Sequence, residues 1–421
     1  MSAVCIRALN TPLKAFKAPL KVQTRLFLTA DSPLSPFSPI STTSPAFSLP
    51  KSRDCPGKSP FNNCPPSIVS KIGSNLHLCP GHPLNTIKAI ISDHFKNTDG
   101  FTTFDNFSPI VPTYNNFDSL LIPSDHPGRQ PSDTYYIDET TVLRTHTSAH
   151  QLHLMASSNS KFLVIGDCYR RDEIDYCHYP VFHQCEGVKL FPLDSATEDE
   201  VIADLKSSCE GLMGKLFGND IEFRWGADYF PFTNPSFELE VKYNGEWLEV
   251  AGSGVVKEEI VKNSLVGGEE EVPRKGWAFG LGLERLAMIL FEIPDIRLFW
   301  SEDIRFHSQF SGKNEGKIVK FTPYSKYPLC YKDVSFWLNK SGEETKFNFN
   351  EFCDLIREQC DGDYVEKIEL IDEFENKIGR KSQCYRITYR SMDRSLTNEE
   401  VDVVQFAVRD KLARVFDVEL R

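Results

Sequence analysis

The chain has 421 residues, of which 40% are hydrophobic and 25% are charged, and its formal net charge at pH 7 is −12. This length allows two or three domains with a substantial core, and no apolar run approaches the roughly 18 residues that a membrane-spanning helix needs. The acidic balance excludes a protein that coats nucleic acid with its whole surface, although one local basic face can still bind RNA.

The N-terminal segment is basic at first and then rich in serine and proline. Residues 1–30 contain five lysines and arginines and no acidic residue, and residues 31–65 are dense in Ser and Pro. A basic, acid-free start is typical of an organellar transit peptide, and the Ser/Pro stretch has too little apolar surface to fold. We predict a transit peptide and linker over 1–65 that target the mitochondrial matrix, with the plastid or both organelles as the alternative.

The following elements predict one mixed domain over residues 66–312. Apolar residues recur at helical spacing after Pro83, and β-branched or aromatic runs between turn signals predict strands. Because these strands are not joined by regular crossover helices, we expect an antiparallel or mixed sheet and not a dinucleotide-binding fold. The predicted strands are 160–166, 222–225, 237–243 and 247–250, and the predicted helices are 147–157, 197–217 and 283–290.

A different pattern, with two similar halves, occupies residues 313–421. The final helix begins with a capping box, because Thr397 precedes Glu400 by three residues. Two strand–helix–strand halves predict a ferredoxin-like α+β domain. The predicted strands are 318–321, 333–338, 365–374 and 384–390, and the predicted helices are 350–360 and 397–415.

The twelve cysteines are scattered along the chain, and no two of them form a Cys-x-x-Cys pair. Zinc ribbons and thioredoxin-like redox centres depend on that spacing, so the sequence does not support either of them. We interpret the cysteines as incidental thiols of a protein in a reducing compartment.

Three groups of segments carry residue types that suit chemistry on ATP. An enzyme that joins a carboxylate to a phosphate needs fixed cations, and arginine is suited because its planar fork stays protonated. Arg170 lies in a charged turn, and Arg285 follows a Gly-x-Gly segment at a helix start, where backbone amides favour anions. Glu249, on a predicted strand, is a candidate Mg²⁺ ligand. The segments are 143–148 with 166–173 and 178–187, 228–236 with 247–250, and 277–285.

Taken singly, such segments are more often solvated turns, helix starts and core strands. A chance occurrence of all of them in this order is far less probable, because the probabilities of independent matches multiply. Together they resemble the signature motifs of class II aminoacyl-tRNA synthetases, and within that family the single-chain organellar phenylalanine enzymes. The resemblance rests on THTS at 145–148, FHQ-x-EG at 182–187 and YFPF-x-x-PS at 229–236. It covers residues 80–421 and implies an α+β chain: a class II antiparallel-sheet catalytic domain followed by a ferredoxin-like anticodon-binding domain.

The resemblance implies a reaction and its partners. The enzyme would use ATP and Mg²⁺ to activate L-phenylalanine as an adenylate and would then transfer it to tRNA(Phe). It would have no membrane partner and, like single-chain members of the family, would be a monomer. Arg170 would be the catalytic cation on the α-phosphate. The residues implied in ATP binding are Arg170, His178, Phe182 and Arg285.

The resemblance also implies a phenylalanine pocket. Glu186 would supply the negative charge that an ammonium group needs when it leaves water. Phe230 and Phe232 would pack edge-to-face on the substrate ring, and Ala278 would form the pocket floor. The full set of implied phenylalanine-binding residues is His146, Ser148, Gln184, Glu186, Phe230, Phe232 and Ala278.

Two alternatives remain at this stage. A synthetase for another amino acid would need a different pocket, and Phe230, Phe232 and Ala278 argue against it. A non-catalytic RNA-binding paralogue would keep the fold without the reaction. Loss of Arg170, Arg285 or Glu186 would favour that paralogue, and all three are present.

Overall fold

A seven-stranded sheet organises the larger part of the molecule, and a four-stranded sheet organises its C-terminal part. The computed structural model describes residues 59–421 apart from 158, 244, 265–273, 324–326, 339–345, 361–363 and 378. The predicted transit peptide and most of the predicted linker, residues 1–58, lie outside the described residues. Within the described part of the chain, no helix has both the length and the apolar character that crossing a membrane requires.

The elements follow one another along the chain as below. The strands are β1 (Thr102–Phe104), β2 (Ile110–Pro112), β3 (Tyr136–Asp138), β4 (Thr141–Leu143), β5 (Lys161–Tyr169), β6 (Val181–Pro192), β7 (Phe223–Asp228), β8 (Thr233–Tyr243), β9 (Glu246–Val256), β10 (Arg274–Gly282), β11 (Cys330–Trp337), β12 (Val365–Glu375), β13 (Lys381–Tyr389) and β14 (Glu419–Leu420). The α-helices are α1 (Pro66–Val69), α2 (Pro83–Asp99), α3 (Thr113–Asn116), α4 (Gln151–Ala156), α5 (Glu198–Phe217), α6 (Glu258–Ser264), α7 (Leu283–Phe291), α8 (Ile304–His307), α9 (Phe349–Gln359) and α10 (Asn398–Val415).

The large sheet has the order β1-β5-β6-β10-β9-β8-β7. Strands β1 and β5 run parallel, and the other neighbouring pairs in this sheet are antiparallel. The antiparallel architecture predicted for this region is therefore confirmed. Strands β2, β4 and β3 form a small separate sheet.

One face of the large sheet packs on helices. On β10, Trp277, Phe279 and Leu281 point into a core that also contains buried side chains of α2, α5 and α7. Helix α2 begins with Pro83 at its first position and ends at Gly100, whose φ of 73° is left-handed. Each fully buried apolar side chain in this layer contributes about 1.5–3 kcal/mol to folding.

The C-terminal sheet has the order β12-β13-β11-β14 and packs on α9 and α10. Its chain order is strand–helix–strand twice, which confirms the ferredoxin-like prediction. The capping box at Thr397 is present, because its side chain accepts from the Glu400 amide and the Glu400 side chain accepts from the Thr397 amide.

One predicted strand was wrong, and several strands were missed, among them β6 and β10 of the large sheet and β14 of the C-terminal sheet. Residues 318–321 are not a strand; the Phe321 amide instead donates to the Phe291 carbonyl at the end of α7 (2.6 Å). The edge strand of the C-terminal sheet is β14, which pairs with Phe336 and Trp337 of β11. A two-residue strand has no periodicity of its own, so only its partner defines it.

Buried polar contacts join the C-terminal part to the large-sheet part. Tyr135 donates its hydroxyl to Asp354 on α9 (3.0 Å), and Arg171 pairs with the same carboxylate (3.0 Å). Arg357 donates to the Glu173 carbonyl (2.9 Å). Asp354 is only 3% exposed, and its buried charge is compensated by Arg171 and by Arg357 (2.9 Å) together.

Candidate active site

The second face of the large sheet carries most of the residues that the motifs single out. Residues directly opposite each other on antiparallel strands share a face of the sheet. Gly282, Gly280 and Ala278 of β10 lie opposite Gln184, Glu186 and Val188 of β6. The register therefore brings Gln184, Glu186 and Ala278, three of the predicted site residues, onto one surface.

Glycines leave an open trough above this surface. A Cβ atom added at Gly280 would meet no atom within 4 Å, and one at Gly282 would meet only the Arg285 Cβ at 4.0 Å. At Gly252, opposite Gly280 on β9, an added Cβ would lie 2.7 Å from Phe230 Cζ. Side chains are thus absent where a ligand can approach the sheet backbone, and Phe230 covers the neighbouring strand.

Glu186 is a buried carboxylate with unused hydrogen-bonding capacity. It is 3% exposed, and Gln151 Nε2 donates to its Oε1 (2.9 Å). Its Oε2 is buried and has no partner among the described residues. Burial raises the pKa of Glu186 to about 8, although a hydrogen bond from Ser148 opposes the shift. The arrangement suits a cationic ligand that would stabilise the ionised form.

His146 has a similar character. Both of its ring nitrogens are buried without a hydrogen-bond partner among the described residues. Burial lowers the pKa of His146 to about 3, and the charge of Arg170 lowers it further. The imidazole is therefore neutral at physiological pH and can donate one hydrogen bond and accept another.

Arg170 directly follows β5. Its Nε donates to the Thr145 carbonyl (2.7 Å), and its guanidinium lies over the Phe182 ring at 5.1 Å from the centroid. Burial lowers the pKa of Arg170, but an arginine keeps its proton under such conditions. The side chain is thereby fixed as a cation beside the trough, next to Phe182, which is also predicted to bind ATP.

Arg285 and Glu249 meet at the far side of the trough. Arg285 donates from Nη1 to the Glu249 carbonyl (3.0 Å). The pairing of β8 with β9 shifts register between Leu239 and Glu240, and this bulge brings Glu249 opposite Glu240. Burial raises the pKa of Glu249, Arg285 opposes the shift, and the charges of Glu238, Asp228 and Glu240 add to it.

A buried contact that the sequence did not indicate joins the strand that carries Phe182 to the helix that carries Arg285. Glu284 accepts from the backbone amide of His183 (2.7 Å) and from its Nδ1 (2.7 Å). Because Phe182 precedes His183 and Arg285 follows Glu284, the contact sets the spacing between those two predicted ATP-binding residues. It joins β6 to the first turn of α7, across 101 positions of the chain.

Aromatic rings close one end of the trough. Phe230 and Phe232 stack on each other with centroids 5.7 Å apart and planes inclined by 11°. Phe232 packs against a cluster that contains Ala278 and Val188. The three apolar residues assigned to the phenylalanine ring are therefore neighbours.

The ion-pair contacts of His178, a predicted ATP-binding residue, are with acidic residues of its own loop. His178 lies in the loop between β5 and β6, where its Nδ1 contacts Asp175 (2.7 Å) and Glu173 (3.5 Å).

Sequence reasoning did not single out Gln151 or Arg144. Arg144 is 1% exposed and pairs with Asp167 (2.7 Å), which fixes the segment that carries His146. Only the adjacent THTS motif could have directed attention to them.

Comparison with known proteins agrees with this geometry. Residues 70–310 match the family described as tRNA synthetases class II core domain (F), and residues 325–421 match the ferredoxin-fold anticodon binding domain. The chloroplastic/mitochondrial phenylalanine--tRNA ligase of Arabidopsis thaliana is 53% identical over 371 residues, which cover 86% of this chain and 83% of that one. The mitochondrial phenylalanine--tRNA ligase of Dictyostelium discoideum is 47% identical over 413 residues, with coverage of 85% and 89%.

A bacterial relative matches about half of the chain. The phenylalanine--tRNA ligase alpha subunit of Thermosynechococcus vestitus is 41% identical over 231 residues, which cover 54% of this chain and 65% of that subunit. The large sheet and the C-terminal module thus agree with the sequence relationships. The chain belongs to the class II aminoacyl-tRNA synthetase family, among the phenylalanine--tRNA ligases.

Proposed function

We propose that this chain attaches L-phenylalanine to tRNA(Phe) in an ATP-dependent reaction that passes through phenylalanyl-adenylate. The observation that carries the proposal is Glu186, a buried carboxylate with one oxygen lacking a partner among the described residues. It lies on the same sheet face as Ala278, which packs in one cluster with Phe232. An ammonium group at Glu186 and a phenyl ring at Phe232 fit opposite ends of one amino acid.

The amino-acid pocket is proposed to use seven side chains. The ammonium group of phenylalanine pairs with Glu186, which ionises as it binds. The ring lies between the aromatic pair and Ala278, where apolar contact and ring geometry favour it. The remaining polar groups orient the ammonium and carboxylate. The set is His146, Ser148, Gln184, Glu186, Phe230, Phe232 and Ala278.

ATP is proposed to bind along the glycine trough. Phe182 and Arg285 enclose the adenine, His178 contacts phosphate, and Arg170 neutralises the α-phosphate. The phenylalanine carboxylate oxygen then bonds to the α-phosphorus as the bond to pyrophosphate breaks. Positioning and fixed positive charge lower the barrier, so no protein nucleophile is needed.

Magnesium has a candidate ligand in Glu249. The raised pKa of Glu249, which arises from burial and from nearby acidic groups, fits a carboxylate that a divalent cation would stabilise. When bound, Mg²⁺ would neutralise phosphate charge. Arg285, held on the Glu249 carbonyl at 3.0 Å, would share that charge with it.

The remaining parts of the proposal concern the whole chain. Residues 66–312 form the catalytic domain, residues 313–421 bind the anticodon region of the tRNA, and the enzyme acts as a monomer. Residues 1–65 direct it to the mitochondrial matrix, with the plastid or both organelles as the alternative. The basic start of the chain and the organellar names of its relatives support this location.

The direct test is phenylalanine-dependent exchange of pyrophosphate into ATP, followed by charging of tRNA(Phe). The parent should catalyse both reactions. Glu186→Gln removes the negative charge with little change in shape, and its KM for phenylalanine should rise at least tenfold. Exchange that another amino acid supports better than phenylalanine would overturn the assigned substrate, and tRNA binding without exchange would favour a non-catalytic paralogue.

A further inference from the structure

A thiol, an imidazole and a carboxylate meet in the loop between β5 and β6. Asp175, Cys177 and His178 each offer one ligand atom, and these atoms all lie within 4.8 Å of one another. Sulfur, nitrogen and oxygen donors of these types are the ligands of zinc in proteins. Thiolate in particular favours Zn²⁺ and chemically similar divalent ions such as Co²⁺, here called zinc-class ions, over Mg²⁺. The absence of a Cys-x-x-Cys pair therefore does not exclude a zinc site in this chain.

The spacing of the donors is close to what one ion requires. Cys177 Sγ and His178 Nδ1 are 3.7 Å apart, and zinc–sulfur and zinc–nitrogen bonds of about 2.3 and 2.0 Å at a tetrahedral angle give roughly 3.5 Å. Asp175 Oδ2 is 2.7 Å from Nδ1, so this hydrogen bond would have to lengthen by about half an ångström to admit the ion. The thiol and the imidazole would hardly need to move.

The loop backbone already holds the carboxylate in place. Asp175 Oδ1 accepts from the amides of Cys177 and His178, both at 2.7 Å, which leaves Oδ2 for the ion. The carbonyl of Ile174 accepts from Ile368 (3.0 Å), and that of Tyr176 accepts from Ile296 (2.8 Å). Both neighbours of Asp175 are thus anchored, and a ligand set on a fixed backbone binds metal with less loss of entropy.

Nearby positive charge is compensated. Arg357 pairs with Asp354 (2.9 Å), and Arg297 pairs with Asp295 (2.8 Å) and Glu366 (3.3 Å). Glu173 Oε1 lies 3.5 Å from His178 Nδ1, within reach of an ion at the cluster. The local balance of charge therefore permits a divalent cation, and the fourth coordination position is open to Glu173 or to water.

We propose that Asp175, Cys177 and His178 bind one zinc-class divalent ion, and that the bound ion inhibits the enzyme. Binding forms bonds from the ion to sulfur, nitrogen and oxygen and releases the thiol proton to solvent. It also breaks the hydrogen bond between Asp175 and His178, and the imidazole proton moves from Nδ1 to Nε2 so that Nδ1 can bind the ion. The inhibitory part rests on the proposed function, in which His178 contacts phosphate: an imidazole held by the ion is withdrawn from ATP.

The binding test uses Co²⁺ as a spectroscopic substitute for zinc. The full-length protein is treated with chelator and titrated with Co²⁺, and we expect a thiolate-to-cobalt charge-transfer band that saturates at about one equivalent and is removed by Zn²⁺. Cys177→Ser should lose the band, and Cys384→Ser, a half-buried thiol on β13, should keep it. No band in the parent, or an undiminished band in Cys177→Ser, would overturn the site.

The inhibition test measures phenylalanine-dependent pyrophosphate exchange with and without Zn²⁺. Zn²⁺ should lower the exchange rate of the parent at least tenfold, and chelator should restore that rate. The exchange rate of Cys177→Ser should equal that of the metal-free parent, and the same concentration of Zn²⁺ should not lower it. Equal inhibition of both proteins would refute the regulatory role. Failure of the proposed function would instead appear as no exchange by the metal-free parent, whatever the cobalt spectrum shows.

Discussion

Alternate residues of strand β10 face two different environments. Trp277, Phe279 and Leu281 pack into the helix-covered core, whereas Ala278 and Gly280 face the trough. The first set is large and leaves no space, and the second is small and leaves space for a ligand. One strand thus separates the side chains that stabilise the fold from those that keep the site open.

Two buried polar groups on the trough side contrast with one on the core side. On the core side, Lys189 of β6 is buried and its Nζ reaches Asp204 (2.8 Å) and Asp99 (3.1 Å). On the trough side, Glu186 and His146 keep buried atoms without partners among the described residues. Such atoms cost free energy in the ligand-free protein, and a ligand that pairs with them recovers it.

The largest effect is expected from a substitution that removes the cation beside the trough. Arg170→Ala should lower the rate of pyrophosphate exchange by about 10²–10³-fold, equivalent to roughly 3–4 kcal/mol, because the α-phosphate charge loses its fixed partner. The matched control is Arg171→Ala, which breaks the ion pair with Asp354. That variant should retain exchange and melt at a lower temperature. Near-parent exchange by a folded Arg170→Ala protein would contradict the assigned role.

The second effect follows from the pKa of Glu186, which burial raises to about 8 in the ligand-free protein. Below that pH the carboxyl must lose a proton to pair with ammonium. Phenylalanine binding, measured by calorimetry at pH 6, 7 and 8, should therefore strengthen by up to about tenfold per pH unit and level off above pH 8. Glu186→Gln should bind weakly with little dependence on pH.

Protein stability should show the opposite sign. The folded state holds the Glu186 proton more tightly than the unfolded state, whose pKa is near 4.5. The free energy of unfolding contributed by this group is thus fully present below pH 4.5 and is lost as pH rises through 8. If the melting temperatures of the parent and Glu186→Gln changed in parallel across this window, Glu186 would not be the titrating group.

A pair of glycine substitutions tests the two faces directly. An added Cβ at Gly187 would lie 2.3 Å from the Phe279 ring, whereas one at Gly280 would meet nothing within 4 Å. Gly187→Ala should lower the free energy of unfolding by about 1–3 kcal/mol through overpacking. Gly280→Ala should leave thermal stability near that of the parent and raise the KM for ATP severalfold. Reversal of the two outcomes would mean that the faces are assigned wrongly.

The last expected effect concerns specificity. Ala278→Gly removes one methyl group from the apolar end of the trough, beside Phe232 and Val188. The rate of exchange with para-substituted phenylalanines should rise relative to phenylalanine, by about tenfold for one methyl group of space. If the ratio of the two rates stays at the parent value, Ala278 does not limit the depth of the pocket.

The predictability of the fold depended on how local each signal was. The helix after Pro83 and the cap at Thr397 rest on neighbouring residues, and the structure contains both. Strand β14 has only two residues and exists because β11 offers it a partner. The wrong strand at 318–321 is rich in β-branched and aromatic residues but meets no partner strand in the described structure.

The features of the candidate site also divide into those that local sequence indicates and those that depend on distant parts of the chain. The amino-acid sequence by itself determined the motif residues, because Arg170, Glu186 and Arg285 each lie in short segments whose pattern is specific. Tertiary structure alone decided the contact of His183 with Glu284, which lie 101 positions apart in the chain. The physical reason is that periodicity and motifs report on neighbours along the chain. Hydrogen bonds, pKa shifts and ligand geometry depend instead on atoms that only folding brings together.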